Sequence, residues 1–292
     1  MIINKANLSI IYTAVKTAFN KGLKDATEYQ SRIATVVPSS TKEENYKWLG
    51  QFPRLQKWIG DRTVKNLKAH SYSITNEKFE STIAIPRDDI EDDTYGVFTP
   101  LFEEMGHAAK THPDELVFGL LAQGFDQLCY DGQNFFDTDH KVGDESVSNM
   151  QAGAGVPWYL LDTNRPLKPI IFQKRRDYDL KSRQDETAES TWLRDEYEYG
   201  VDARVNAGFG LWQLAFGSKA DLTEANFDAA LEAMMALKSD EGRPLGVRPN
   251  LLVVGPKNRA KANNVIEVMN KEGGASNPNY KAVEVLVVPW LE

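Results

Sequence analysis

Cysteine is almost absent from this chain of 292 residues, which contains only Cys129. A single cysteine excludes an intrachain disulfide and a zinc site built from several cysteines, so nothing indicates an oxidising compartment. Long apolar runs are also missing, because the longest, such as residues 251–255, fall far short of the roughly 20 residues that span a bilayer. Asn7, Thr13 and Lys16 interrupt the start of the chain, unlike the apolar segment of a signal peptide. We therefore expect neither a membrane span nor secretion.

Motifs that bind phosphate groups or supply a catalytic nucleophile are missing as well. The sequence contains no Gly-x-Gly-x-x-Gly, no Gly-x-x-x-x-Gly-Lys-Ser/Thr and no Gly-x-Ser-x-Gly. The 34 basic and 42 acidic residues give a net charge of −8, which argues against a surface that binds duplex nucleic acid strongly. With 41% hydrophobic and 26% charged residues, the composition is that of an ordinary folded protein.

One cluster could bind a divalent cation. Asp137, Asp139 and His140 place two carboxylates and an imidazole within four residues, which suggests a metal-dependent hydrolase as one hypothesis. An EF-hand loop would need an oxygen ligand and then glycine where this chain has Lys141 and Val142. We therefore favour a hydrogen-bonded structural loop and predict no catalytic residue, no metal and no cofactor.

The N-terminal region carries an apolar stripe at helical spacing. Its members are Leu8, Ile11, Tyr12, Val15 and Phe19, and Gly22 is a typical helix end. Four lysines precede the first acidic residue, so this segment is basic. A helix of about 14 residues is marginal by itself in water and needs a partner surface. A polar stretch over residues 27–45 is interpreted as a linker that tethers the helix loosely.

Residues 46–85 contain two runs in which apolar and polar residues alternate, on either side of Thr75, Asn76 and Glu77. This pattern predicts a two-stranded hairpin. An isolated hairpin is marginal in water, so it packs either on its own domain or on a neighbouring chain. The apolar side chains of helix and hairpin are therefore candidate contacts between subunits: Leu8, Ile11, Val15, Phe19, Tyr72, Ile74 and Phe79.

The rest of the chain mixes helices with strands. Thr99 and Pro100 open a helix that His112 and Pro113 break, and a more apolar helix follows over residues 113–130. Strands are clearest over residues 169–173 and 196–205. Beyond them, a helix capped by Thr223, a strand over 251–254, another helix and a strand over 283–288 form a small unit. The predicted fold class is α+β.

Several motifs in a fixed order resemble the major head subunit of Mu-like phages and prophages, and the likeness spans nearly the full chain. They are Pro86-Arg87-Asp88-Asp89-Ile90, Asp131-Gly132-Gln133, Phe135-Phe136-Asp137-Thr138-Asp139-His140, Tyr199-Gly200-Val201-Asp202-Ala203-Arg204, Gly208-Phe209-Gly210-Leu211-Trp212-Gln213, Gly242-Arg243-Pro244-Leu245 and Pro289-Trp290-Leu291.

The resemblance implies the Hong Kong 97-like phage capsid fold. Its parts would be an N-terminal arm over residues 1–45, an extended hairpin called the E-loop over 46–85, a peripheral domain over 86–217 and an axial domain over 218–292. The predicted helix over residues 113–130 would be the spine helix of the peripheral domain.

The resemblance also implies a function. It predicts a major capsid protein, not an enzyme, that self-assembles as hexamers and pentamers into the icosahedral shell around the double-stranded DNA of a tailed phage. The expected partners are other copies of the chain, a separate scaffolding protein, a portal and weakly contacted DNA, with assembly in the bacterial host cytoplasm and no membrane. An encapsulin-like compartment that carries an enzyme cargo is the alternative with the same architecture.

Overall fold

The computed structural model describes residues 3–50, 72–92, 95–185, 188–271 and 273–291. The helices are α1 (Lys5–Asp25), α2 (Gln30–Ile33), α3 (Arg87–Glu91), α4 (Thr99–Ala122), α5 (Glu189–Arg194), α6 (Glu224–Met235) and α7 (Arg259–Ile266). The strands are β1 (Ala34–Pro38), β2 (Glu43–Asn45), β3 (Ser73–Thr75), β4 (Glu77–Pro86), β5 (His140–Val142), β6 (Glu145–Val147), β7 (Met150–Gln151), β8 (Trp158–Leu161), β9 (Ile170–Arg183), β10 (Glu196–Phe209), β11 (Ala215–Ser218), β12 (Leu251–Val254) and β13 (Glu284–Val287). The predicted α+β class is confirmed.

A four-stranded sheet in the order β1-β9-β10-β4 joins strands from the N-terminal region to the long strands β9 and β10. Strands β9 and β10 form a long antiparallel hairpin, β4 pairs antiparallel with β10, and β1 runs parallel to β9. Every second residue of β10 from Tyr197 to Val205 is buried, as expected for a strand with one covered face. Helices α1 and α4 pack with this face in one apolar cluster that includes Phe102, Tyr197 and Tyr199.

A five-stranded sheet in the order β13-β12-β8-β11-β7 forms the second layer. All residues of β8, β11 and β12 are buried, because both faces of these strands are covered. Helix α6 contacts β11, and α7 contacts β12 and β13. Thr223 caps α6 as predicted by accepting a hydrogen bond from the Asn226 backbone N–H. In the described part of the chain, we find no helix with the length and apolar character needed to cross a membrane.

The predicted helix break at His112 and Pro113 is wrong. Helix α4 runs from Thr99 to Ala122 through Pro113, whereas the expected spine helix covered residues 113–130. An interior proline costs a helix roughly 3 kcal/mol. Burial of Ala109, Val117 and Phe118 on either side of the proline offsets this cost, so tertiary packing overrides the local signal.

The linker predicted over residues 27–45 is also wrong, because this segment contributes α2, β1 and β2 to the fold. Strand β1 hydrogen-bonds to β9 in the register Ala34↔Ile170. The polar residues after Pro38 form a turn in which the Glu44 carboxylate accepts hydrogen bonds from Ser39, Ser40 and Thr41, which lowers the pKa of this carboxyl to about 2. The N-terminal segment is therefore integrated into the body of the subunit.

The two alternating runs of the predicted hairpin are strands, but they do not pair with each other. Strand β3 pairs with β2, and β4 pairs with β10. Asn76 lies between β3 and β4 and is buried. Its backbone N–H donates to the Lys42 carbonyl at 2.9 Å, and its side chain donates to the Ser39 hydroxyl at 2.8 Å. Residues 51–71 of the predicted hairpin region lie outside the described residues.

The boundary predicted between residues 217 and 218 falls inside β11. Strand β8, which was assigned to the unit before this boundary, lies between β12 and β11 in the five-stranded sheet. Residues 218–292 therefore do not form a unit without residues 150–161 and 215–217. The short strands predicted over 169–173 and 196–205 are confirmed as parts of β9 and β10.

Candidate subunit interfaces

Helices α1 and α4 cross with their backbones in contact, and a glycine on each helix makes this possible. A Cβ atom on Gly22 would lie 1.8 Å from the Glu103 carbonyl oxygen, and one on Gly106 would lie 2.1 Å from the Phe19 carbonyl oxygen. Gly22 is therefore an interior contact residue of α1, not the helix end predicted from the sequence. The Lys21 ammonium donates to the Glu103 carboxylate at 2.9 Å beside the crossing, which raises the pKa of Lys21.

The apolar stripe of α1 is covered by its own chain. Leu8, Ile11, Val15 and Phe19 are all buried in the cluster that α1 forms with α4 and the four-stranded sheet. The reason for assigning these side chains to a neighbouring subunit, namely that the chain could not bury them itself, is therefore wrong. An amphipathic pattern shows that a face is buried, but it does not show which chain covers it.

The first part of the predicted E-loop, from Tyr46 to Tyr72, begins and ends at one two-stranded ladder, formed by β2 and β3. The Tyr46 backbone N–H donates to the Tyr72 carbonyl at 2.8 Å, and the Tyr46 hydroxyl donates a hydrogen bond to Gln173 Oε1 at 2.8 Å. Gln173 in turn donates to the Ile74 carbonyl at 2.9 Å. The two ends of this segment are thus anchored next to each other on β9.

The three hairpin side chains predicted to contact a neighbour differ in their surroundings. Ile74 is buried in the main apolar cluster, so its assignment to a neighbour rests on the same wrong premise as the stripe of α1. Tyr72 and Phe79 are half-buried. The Tyr72 hydroxyl accepts a hydrogen bond from the Phe209 backbone N–H at 2.7 Å, and the Phe79 ring packs on His112. Contact of Tyr72 and Phe79 with a neighbour stays a prediction.

The hypothesised metal cluster is not assembled around Asp137 and Asp139. The Asp137 carboxylate accepts hydrogen bonds from the backbone N–H groups of Asn134 and Thr138, which is the role of a turn-capping residue. His140 is fully buried and stacks on the Trp212 ring with centroids 4.0 Å apart. Its Nδ1 lies 2.7 Å from Asp131 Oδ2, so its partner is Asp131, not Asp137 or Asp139.

Among the described residues, one group of three could place metal-ligating atoms together: Cys129, Asp131 and His140, within 4.8 Å of one another. The Cys129 thiol donates to Asp131 Oδ1 at 3.1 Å, and His140 is hydrogen-bonded to the other carboxylate oxygen. Burial and the neighbouring carboxylate raise the pKa of Cys129, so the thiol is held in its protonated form. Burial acts to raise the pKa of Asp131, but the interactions with His140 and the hydrogen bonds from Cys129 and Gln133 together outweigh it and lower the pKa below its ordinary value, which keeps the carboxylate ionised. Hydrogen bonds through Asp131 thus join the three side chains, as expected for a support of the loop.

Sequence reasoning missed an exposed apolar pair. Trp192 and Leu193 lie on α5 at the end of the β9–β10 hairpin and retain 82% and 68% of their accessible surface. The sequence contained a signal for this pair, because Trp192 and Leu193 are adjacent apolar residues inside an otherwise acidic stretch from Asp185 to Glu198.

Comparison with known proteins identifies relatives along nearly the whole chain. The family described as Mu-like prophage major head subunit gpT matches residues 8–291. The chain is 41% identical over 265 residues to the major capsid protein of Escherichia phage Mu, with 87% of each chain covered. It is 43% identical over 284 residues to the Mu-like prophage FluMu major head subunit of Haemophilus influenzae, with 92% of each covered.

Two solved structures are similar in both sequence and fold. The procapsid of bacteriophage JBD30 has a TM-score of 0.88 and 49% identity, covering 99% of this chain and 100% of that chain. The capsid of bacteriophage JBD30 has a TM-score of 0.81 and 39% identity, covering 100% of both.

Proposed function

The chain belongs to the family of the Mu-like prophage major head subunit gpT, and we propose that its copies form the icosahedral shell around the double-stranded DNA genome of a tailed, Mu-like phage. The protein is a major capsid protein, a viral structural protein whose copies self-assemble into the phage head of the virion. The observation that carries the proposal is that sequence family and fold agree from one end of the chain to the other.

We also propose which partners the protein assembles with and where assembly takes place. The copies associate as hexamers and pentamers with the help of a separate scaffolding protein and a portal, and they assemble in the bacterial host cytoplasm. The packaged DNA contacts the wall weakly, which is supported by the net charge of −8 on each copy. Icosahedral closure is supported by the many identical, modest contacts that copies of one chain can make.

We also propose that the protein has no enzymatic activity. The metal-dependent hydrolase hypothesis needed Asp137, Asp139 and His140 at one site. In the structure, Asp137 and His140 have separate hydrogen-bonding roles. An encapsulin-like compartment is not favoured, since the relatives with more than 40% identity are phage head proteins.

Within the E-loop predicted over residues 46–85, the segment between Tyr46 and Tyr72 is the part that we propose reaches a neighbouring copy. It contains six basic residues and one acidic residue, whereas the whole chain is acidic. A basic segment of one copy therefore meets an oppositely charged body on the next. Trp48, near its start, is 47% exposed and offers apolar area for such a contact.

Electron microscopy of the purified chain tests the proposed function. We expect uniform hollow particles or capsomers in negative stain, together with a scattering mass many times that of one chain. A compact monomer that persists at high protein concentration would contradict the proposal.

Replacement of residues 51–71 by a six-residue Gly/Ser linker tests the role of the E-loop. The ladder of β2 and β3 holds both ends of the segment together, so the subunit is expected to fold and to melt within a few degrees of the wild type. Particles are expected to be lost. Normal particle yield from a well-folded variant would show that the segment has no part in assembly. A deletion that extends into Ile74 or Asn76 would damage the buried core and is not a clean test.

A further inference from the structure

At the end of the β9–β10 hairpin, Trp192 and Leu193 form an exposed apolar pair, called the knob below, which the described part of the chain does not cover. Helix α5 buries Thr191 against the subunit, whereas Trp192 and Leu193 point into solvent. The knob is held in place, because the Arg87 backbone N–H donates to the Asp195 carbonyl at 2.8 Å and the Asp195 N–H donates to the Thr191 carbonyl at 3.1 Å. A large aromatic and a leucine side by side at a fixed exposed position are typical of an interaction site.

An open groove of about 570 Å³ lies on another part of the same subunit, between α1 and the start of α4. Small and apolar side chains line it: Ile10, Thr13, Ala14, Thr17 and Thr99. Ile10 is 59% exposed, which is unusual for an isoleucine on a helix whose opposite face is fully buried. The ion pair of Lys21 and Glu103 also lines this open groove.

The segment that carries the knob is acidic, whereas helix α1 is basic. The sequence from Asp185 to Glu198 contains six acidic residues and one basic residue. Helix α1 contains four lysines and no acidic residue from Lys5 to Lys24. Electrostatic attraction of this kind increases the rate of encounter and selects the orientation of two surfaces.

We propose that Trp192 and Leu193 of one copy insert into the α1–α4 groove of a neighbouring copy. The proposal rests on the proposed function, since a shell supplies identical neighbours at every position. Because knob and groove are different patches of the same chain, each contact leaves a free knob and a free groove for the next copy. Such a heterologous contact propagates from subunit to subunit and suits the growth of a closed shell.

Disulfide trapping tests the contact directly, because the native Cys129 is buried and will not react. A variant with Arg194→Cys, an exposed position beside the knob that leaves Trp192 and Leu193 in place, and Thr17→Cys is assembled, oxidised and run on a non-reducing gel. We expect a ladder of covalent multimers. The matched control combines Arg194→Cys with Lys257→Cys, an exposed position outside the groove, and is expected to stay monomeric on the gel.

The outcomes separate this proposal from the proposed function. Particles that form normally but give no ladder, or only a disulfide within one chain, would overturn the knob-in-groove contact and leave the capsid function intact. Wild-type chains that form no particles would instead contradict the capsid function.

A point variant gives a second readout that does not depend on cysteine geometry. Trp192→Ala is expected to lower particle yield at least tenfold, while the melting temperature of the dissociated subunit changes little because the side chain is exposed there. Lys16→Glu combined with Lys24→Glu is expected to act in the same direction by removing the basic face of α1. Unchanged particle yield from Trp192→Ala would refute the proposal.

Discussion

Gly106→Ala is expected to destabilise the subunit by about 1–3 kcal/mol, although alanine is the better helix former. The added methyl group would lie 2.1 Å from the Phe19 carbonyl oxygen and 2.8 Å from the Leu23 backbone nitrogen. Both obstacles are backbone atoms, so α1 has to move away from α4. The shift would uncover the apolar stripe of α1, which the structure buries completely at Ile11. Urea unfolding of the dissociated subunit measures the loss.

Gly119→Ala is the matched control on the same helix. In the described part of the chain, nothing lies within 4 Å of a Cβ atom at this position, so the substitution adds helix propensity without a clash. We expect stability to be unchanged or to rise by up to about 1 kcal/mol. Equal effects of the two substitutions would show that the backbone contact between α1 and α4 does not limit packing at Gly106.

Asp114→Ala is expected to be less stable than Asp114→Asn by about 2 kcal/mol. The buried Asp114 carboxylate accepts hydrogen bonds from the backbone N–H groups of Tyr29 at 2.9 Å and Gln30 at 2.5 Å. Asparagine keeps an acceptor oxygen for these two groups, whereas alanine leaves them without one in a buried position. Equal stability of the two variants in urea unfolding would show that these hydrogen bonds contribute little.

The same carboxyl predicts a pH dependence. Burial raises the pKa of Asp114 to about 6, and the nearby Glu28 carboxylate adds to this, while the N–H donors and Lys110 oppose it. The folded state then binds the proton more tightly than the unfolded state, in which the pKa is about 4. The contribution to stability is present at low pH and is lost as the pH rises through about 6.

Comparison of the wild type with Asp114→Asn isolates this effect from all other titrating groups. Between pH 4 and pH 7, the wild type is expected to lose on the order of 2 kcal/mol relative to the variant. A constant difference in unfolding free energy over this range would show that Asp114 titrates at its ordinary value in the folded subunit.

Elements whose local pattern agrees with their surroundings could be predicted from the sequence. The stripe of α1, the strand at β10 and the Thr223 cap of α6 each follow from residue types at local spacing. Their burial in the structure follows the same periods. The order of motifs along the chain also indicated the head-subunit family, which the comparisons confirm.

Predictions failed where a residue's role depended on a distant partner. Gly22 looked like a helix end because glycine often ends helices, but it is needed where the backbone of α4 approaches α1. Pro113 looked like a break, but burial on both sides carries the helix through it. Asp131 was overlooked as a partner of His140, nine residues away, because the loop that joins them has no regular period.

The sequence by itself determined which faces are apolar, where several of the strands lie and to which family the chain belongs, because each depends on residue types at local spacing. Only the tertiary structure decided which surface covers each face. It pairs β3 with β2 and β4 with β10, joins residues 150–161 to the C-terminal sheet and packs α1 on its own α4. A strand edge can pair with many other strands, and an apolar face can pack on many other apolar faces. The packing of the whole chain therefore decides which strands pair and which faces meet.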